Sequence, residues 1–170
     1  MPRQASPAAS CRSCRTLAGM SGKLRLLIEP DADGTAELFA EVENAPFAGA
    51  SSAWFSLQEI REFGERLGAT FPIPSGTSID IRGGYWSSTH RGVLEEEHLG
   101  LSFYPIGGAG LVGVRVILRT PLASGERPQS QSLAEVELKT HYEQLRSFGS
   151  AVVSLAAGST RSAALECDAG

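Results

Sequence analysis

Cysteine is scarce in this chain, with three among 170 residues. So few, and an odd number, exclude a disulfide-stapled scaffold. Cys11-x-x-Cys14 has no second pair to complete a tetrahedral zinc site, and Cys167 stands alone near the other end. No apolar run approaches the ~20 residues that cross a bilayer as a helix, so no membrane partner is expected. Basic charge is also short. The formal net charge of −4 argues against a general nucleic-acid binder, which is ordinarily basic. There is no H-E-x-x-H and no adequate Cys/His constellation, so neither a metal nor a cofactor is expected.

Hydrophobic residues make up 42% of the chain and charged residues 20%, which suits one domain with one core. The charge is divided unevenly. Residues 1–19 hold Arg3, Arg12 and Arg15 and no acid, whereas residues 20–170 hold 19 acids against 12 bases, a net of −7. The leading stretch lacks both helical and strand periodicity and reads as a disordered extension. Arg12 and Arg15 interrupt the place where a secretory signal needs its apolar stretch, so the expected location is cytoplasmic. Residues 20–170 read as a single α+β domain, with Met20 as a candidate start.

From residue 23 the punctuation is regular. Lys23–Glu29 reads as a strand, Pro30–Gly34 as a turn, and Thr35–Glu43 alternates apolar and acidic positions as a strand with one wet face does. A short strand at Ser51–Phe55 follows an Asn44–Ala50 loop. Ser56 with Glu59 forms a capping box opening a helix, whose stripe is Leu57, Ile60, Phe63 and Leu67. Strands are expected at Thr77–Arg82, around Leu99–Phe103 (closed by Pro105), at Val112–Leu118 and at Ala134–Leu138. A second helix is expected from Thr140, capped with Glu143, with a stripe of Tyr142, Leu145, Phe148, Val152 and Leu155. Ser162–Glu166 reads as a short last strand or a frayed end. The expected architecture is one antiparallel sheet of six or seven strands with two amphipathic helices on one face.

One internal echo is present. Leu57-x-x-Ile60-Arg61-x-Phe63-Gly64 matches Tyr142-x-x-Leu145-Arg146-x-Phe148-Gly149. Either two helices solve one packing problem, each glycine letting its helix lie close to the sheet, or a strand–helix unit is duplicated.

Three motif matches fail on context. Gly108-x-Gly110-x-x-Gly113 has the dinucleotide-binding spacing, but a β-branched alternating run follows where that chemistry needs a helix N-terminus. These glycines read as a hairpin turn. Ser51 sits in an imperfect nucleophile elbow at the start of a strand, without the strand-to-helix turn that presents the hydroxyl. Asp31-x-Asp33-Gly34 opens like a calcium loop, but its twelfth position is Val42 instead of a bidentate glutamate.

Two features point to binding. Tyr85, Trp86, His90 and Arg91 lie in an expected loop from Gly83 to Gly92, and such residues dominate binding hot spots. The plain alternative folds Trp86 back over an open end of the core. The wet sheet face is expected to carry Glu37, Phe39, Glu41, Tyr104, Arg115, Ile117, Arg119, Glu135 and Glu137. Glu41, Glu135 and Glu137 there are candidates for meeting a basic partner, the alternative being a solvated face of cross-strand charge pairs.

The Ser51–Leu67 strand and capped helix, the run Glu97-His98-Leu99-Gly100-Leu101-Ser102-Phe103 and the strand–helix pair Leu133–Leu155 carry a resemblance. Their order resembles a group of small bacterial α+β proteins that includes immunity proteins of the WapI type. The resemblance implies a non-catalytic cytoplasmic protein that neutralises a toxin by binding it. The alternative is a small hydrolase or small-ligand protein with its site near Tyr85, Trp86, His90 and Glu95.

Overall fold

Alternation of apolar and polar residues commits eight stretches of the described chain to half-buried strands, and the two capped helical stripes interrupt them. The computed structural model describes residues 22–108 and 110–167. The expected extension, with Cys11 and Cys14, lies outside the described residues. The elements are β1 (Lys23–Pro30), β2 (Thr35–Asn44), β3 (Phe47–Ser56), α1 (Leu57–Ala69), β4 (Ile79–Trp86), β5 (Leu94–Ile106), β6 (Leu111–Arg119), β7 (Leu133–His141), α2 (Tyr142–Ala156) and β8 (Ala163–Glu166), with a 3-10 turn at Pro128–Ser130.

The α+β class holds, but the strands do not form one sheet. They form two antiparallel sheets of four, ordered β3-β2-β1-β8 and β4-β5-β6-β7. The break follows α1, because β4 pairs forward with β5 instead of returning to β3. The element order therefore runs twice, as β1-β2-β3-α1-β4 and then β5-β6-β7-α2-β8. Each half is a three-stranded meander followed by a helix. The strand after each helix adds to the first strand of the other half, β4 to β5 and β8 to β1. The helix echo is thus matched by a repeat of the whole topology.

The echoed glycines do not serve the sheet. A Cβ on Gly149 would lie 2.7 Å from the Gly64 carbonyl oxygen and 2.7 Å from the Gly68 nitrogen, and one on Gly64 would lie 2.9 Å from the Gly149 carbonyl oxygen. They mark the crossing of α1 and α2, where backbone packs on backbone. Each helix then turns its stripe into a shared core. Ile60, Phe63, Leu145, Phe148, Val152 and Leu155 meet the inner faces of both sheets, such as Leu24, Leu38, Leu101, Phe103 and Val114.

Small residues also bring the sheets together. A Cβ on Gly83 of β4 would fall 2.5 Å from the Phe55 ring and 2.8 Å from Ala53 Cβ, both on β3. Gly49 of β3 approaches Ala134 of β7 in the same way. Ser51 lies within this contact and donates its Oγ–H to the Arg119 carbonyl at 2.6 Å. Its hydroxyl ties β3 to β6.

Local signals hold in most places. Ser56 caps α1, with Glu59 completing the box. β5 and β6 pair as an antiparallel hairpin after Ile106, and Ser162–Glu166 contributes β8. Other expectations are corrected. The Asn44–Ala50 loop is mostly strand, because β3 starts at Phe47 in register with Asn44. Pro105 does not close β5, which runs one residue further and pairs Pro105 with Val112. Thr140 does not cap α2. It is a buried β7 residue, and Gln144 accepts from the His141 backbone N–H at 3.1 Å instead.

Candidate functional site

Tyr85 and Trp86 belong to the end of β4, not to a loop. β4 and β5 lose register between Gly83 and Gly84 and again between Tyr85 and Trp86, so His98 and then Glu95 stand out as extra residues on β5. Such bulges bend a strand and re-aim its side chains. Gly84 permits the first one, since a Cβ there would strike the Glu96 carbonyl. The result is two outward aromatics, Tyr85 at 53% and Trp86 at 51% exposure. Trp86 does not fold back over the core.

Trp86 meets a partner that composition and spacing do not single out. Trp54, 54% exposed, is on the wet side of β3 between buried Ala53 and Phe55. The chain's two tryptophans flank one surface cleft of about 400 Å³, completed by Thr35, Phe55, Ser56 and Glu59. An aromatic at a polar position of the β3 alternation was the available signal. Tyr85 stands next to Trp86 in the chain, its ring edge-on to His98 with centroids 4.5 Å apart.

His90 and Arg91 lie in the exposed turn between β4 and β5. Ser87 N–H donates to the Val93 carbonyl at 2.8 Å, and Ser87 Oγ accepts from the backbone N–H groups of Thr89 and His90. Among the described residues His90 Nδ1 meets Thr89 Oγ1, at 2.9 Å, and no carboxylate. His98 does face a carboxylate, with Nε2 3.2 Å from Glu96 Oε1 but outside hydrogen-bonding geometry. Its side chain is 5% exposed, so no substrate reaches it. Glu96 Oε1 already accepts from the Leu122 N–H at 3.0 Å and Gln131 Nε2 at 2.8 Å, which pins the loop between β6 and β7. Among the described residues, no three His, Cys, Asp or Glu side chains converge as a metal site would require.

The expected wet face is divided. Glu37, Phe39 and Glu41 lie on the first sheet, whereas Tyr104, Arg115, Ile117, Arg119, Glu135 and Glu137 lie on the second. Register explains how differently the two behave. On the second sheet Arg115 stands opposite Glu137 and diagonal to Glu135, and its Nε donates to Glu135 at 2.8 Å. Tyr104 donates its hydroxyl to Glu137 at 2.5 Å. Arg82 and Glu97 approach to 3.7 Å on the same side. Here Glu135 and Glu137 are both engaged across the strands.

On the first sheet the rows differ. Arg25 pairs with Glu41 at 3.4 Å and Lys23 with Glu166 at 2.7 Å. Two rows beyond Arg25, past Leu27 and Phe39, Glu29 of β1 stands directly opposite Glu37 of β2, and Glu37 opposite Trp54 of β3. Among the described residues neither glutamate has an ion-pair partner, although Glu37 accepts from Ser52 Oγ at 2.6 Å. Like charges opposed across strands are destabilising, so this row carries an unbalanced negative potential beside the tryptophans. Of the expected site residues, Trp86 shares the cleft at the end of this row, and Tyr85 packs on His98 instead. Glu41 is on the same face, His90 and Arg91 are in the adjoining turn, and Glu135 and Glu137 are engaged elsewhere.

The Tyr104–Glu137 contact makes a measurable prediction. Burial, then the hydrogen bond to Glu137 and its charge, push the Tyr104 phenol up to about 12. A raised acid favours its protonated form in the fold. Its stabilising contribution is therefore complete below the ordinary phenol value of about 10 and is lost as pH rises from there towards 12. In an alkaline titration followed by phenolate absorbance, one of the three tyrosines should ionise last, and Glu137→Gln should bring it forward.

Compared with family models, curated proteins and solved structures, the chain matches none.

Proposed function

We propose that this protein acts by binding and not by catalysis, receiving a basic protein partner on the outer face of the first sheet. The observation that carries the reading is the row Glu29–Glu37–Trp54, which leads into the cleft shared with Trp86. Unpaired carboxylates steer a cationic partner, and tryptophans supply both apolar area and faces for its guanidinium or ammonium groups. Neutralisation of a basic toxin in the cytoplasm, as the WapI-type resemblance implies, is the form of this activity we favour. A protein encoded beside this one is the first partner to test.

Purified wild type, Glu29→Lys with Glu37→Lys, and Trp54→Ala with Trp86→Ala should first be shown to melt alike. Charge reversal should then slow association and flatten its dependence on salt. Removal of the tryptophans should mainly speed dissociation, by about thirtyfold or more if they form the hot spot. A partner indifferent to all four substitutions would refute this surface. Small-molecule turnover lost in His90→Ala would refute the binding reading altogether.

A further inference from the structure

A cavity of about 600 Å³ lies where β8 stops short of covering β1. β8 pairs only as far as Leu26, opposite Ala163, and among the described residues the rest of β1 has no neighbouring strand on that side. The hydrogen-bond phase identifies which groups are left open. Cys167 N–H donates to the Gly22 carbonyl, so Gly22, Leu24 and Leu26 direct their main-chain groups towards β8. The next in that series is Ile28. Asp31 N–H donates to the Thr35 carbonyl on the opposite side, which assigns Leu27 and Glu29 to β2. Ile28 thus presents one N–H and one C=O into the cavity. Pro30, without an N–H, ends the open edge.

The cavity draws on both faces of the sheet. Leu27 and Phe39 come from the outer face, while Ile28 and Leu155 come from the core side. A ligand lying on one face would not need both. An added strand does, because its successive side chains point to opposite faces. Glu29 and Glu41 stand at the mouth, together with Arg161.

We infer that the open half of β1 is an acceptor edge for a short extended segment of a partner protein, with apolar residues flanked by lysine or arginine. The segment bonds through its main chain to Ile28, seats alternate apolar side chains against Phe39 and Leu155, and sets its cation against Glu29. This deepens the binding reading above, since edge and acidic row belong to one sheet.

The test selects short random peptides on the full chain by display and then follows amide exchange with synthetic copies of the winners. The winners should carry consecutive apolar residues flanked by lysine or arginine, and bound peptide should slow exchange at the Ile28 amide by about tenfold or more. Phe39→Glu should weaken them by about tenfold or more. Arg161→Glu, on the exposed rim and away from the core, should tighten them. Trp54→Ala should leave them unchanged. Peptides that bind without protecting Ile28 would overturn the edge. So would a concentration-dependent dimer protecting the same amide, because a second copy would then be the occupant. If the natural partner is lost in Trp54→Ala while no peptide protects Ile28, the edge falls and the acidic row stands. The reverse pattern removes the row and keeps the edge.

Discussion

Phe148→Ala is expected to destabilise the protein by about 3–5 kcal/mol and to lower its melting temperature by roughly 10 °C. Phe148 is 1% exposed, and its ring lies 6.1 Å from that of Phe103. Phe63 of α1 meets Phe103 from another side at 5.8 Å. The three rings join both helices to β5, so the void left by either helical phenylalanine opens where three elements meet. Phe63→Ala should therefore cost a similar amount. Glu41→Ala should cost well under 1 kcal/mol, because Glu41 and Arg25 are both exposed and their contact is screened by water. Urea titrations of the three variants check the order. A reversed order would mean that the inner and outer faces of the sheets have been exchanged.

Gly149→Ala and Gly68→Ala should move stability in opposite directions, although both replace a helical glycine. Alanine in a helix is favoured over glycine by about 1 kcal/mol. At Gly68 nothing lies within 4 Å of the added Cβ, so that preference should appear nearly in full as a gain. At Gly149 the Cβ meets backbone atoms of α1 at 2.7 Å. Backbone cannot turn aside as a side chain can, and the helices must separate or shift. Overpacking of this kind costs about 1–3 kcal/mol for a methyl group, and Gly149→Leu should exceed that. Thermal melts of the variants decide the matter. A gain at both sites would show that the helices do not cross at these glycines.

Features set by near neighbours are legible in the amino-acid sequence itself. The Ser56–Glu59 capping box needs only residues three apart, and α1 starts where it says. The β-branched alternation after Gly110 calls for a strand where the dinucleotide fingerprint needs a helix, and that strand is β6. Even β8 is visible as a weak alternating stretch. The expected start of the second helix is misplaced by one residue, because Thr140 and Glu143 match the capping pattern as well as His141 and Gln144 do. Burial of Thr140 in β7 decides between them.

The candidate site is half legible. The cluster from Tyr85 to Arg91 stands out by composition, but Trp54 is 32 positions before Trp86 and joins it only because β3 crosses β4 at Gly83. Alternation marks a residue as outward without naming the sheet or the residue opposite. Glu41, Glu135 and Glu37 therefore look like one acidic face. Cross-strand register gives Arg115 to Glu135, Arg25 to Glu41 and, among the described residues, no cation to Glu29 and Glu37.

By itself, then, the sequence determined the elements, their buried sides and the acidic balance of the domain, since each depends on the periodicity or composition of the chain. Tertiary structure alone decided that the strands divide into two sheets, that Gly64 faces Gly149, and which carboxylates stand apart from a cation. Those are properties of pairs of residues far apart in the chain. Pairing is chosen by the packing of the whole core, where a shift of one residue in register would turn every side chain of a strand to the opposite face.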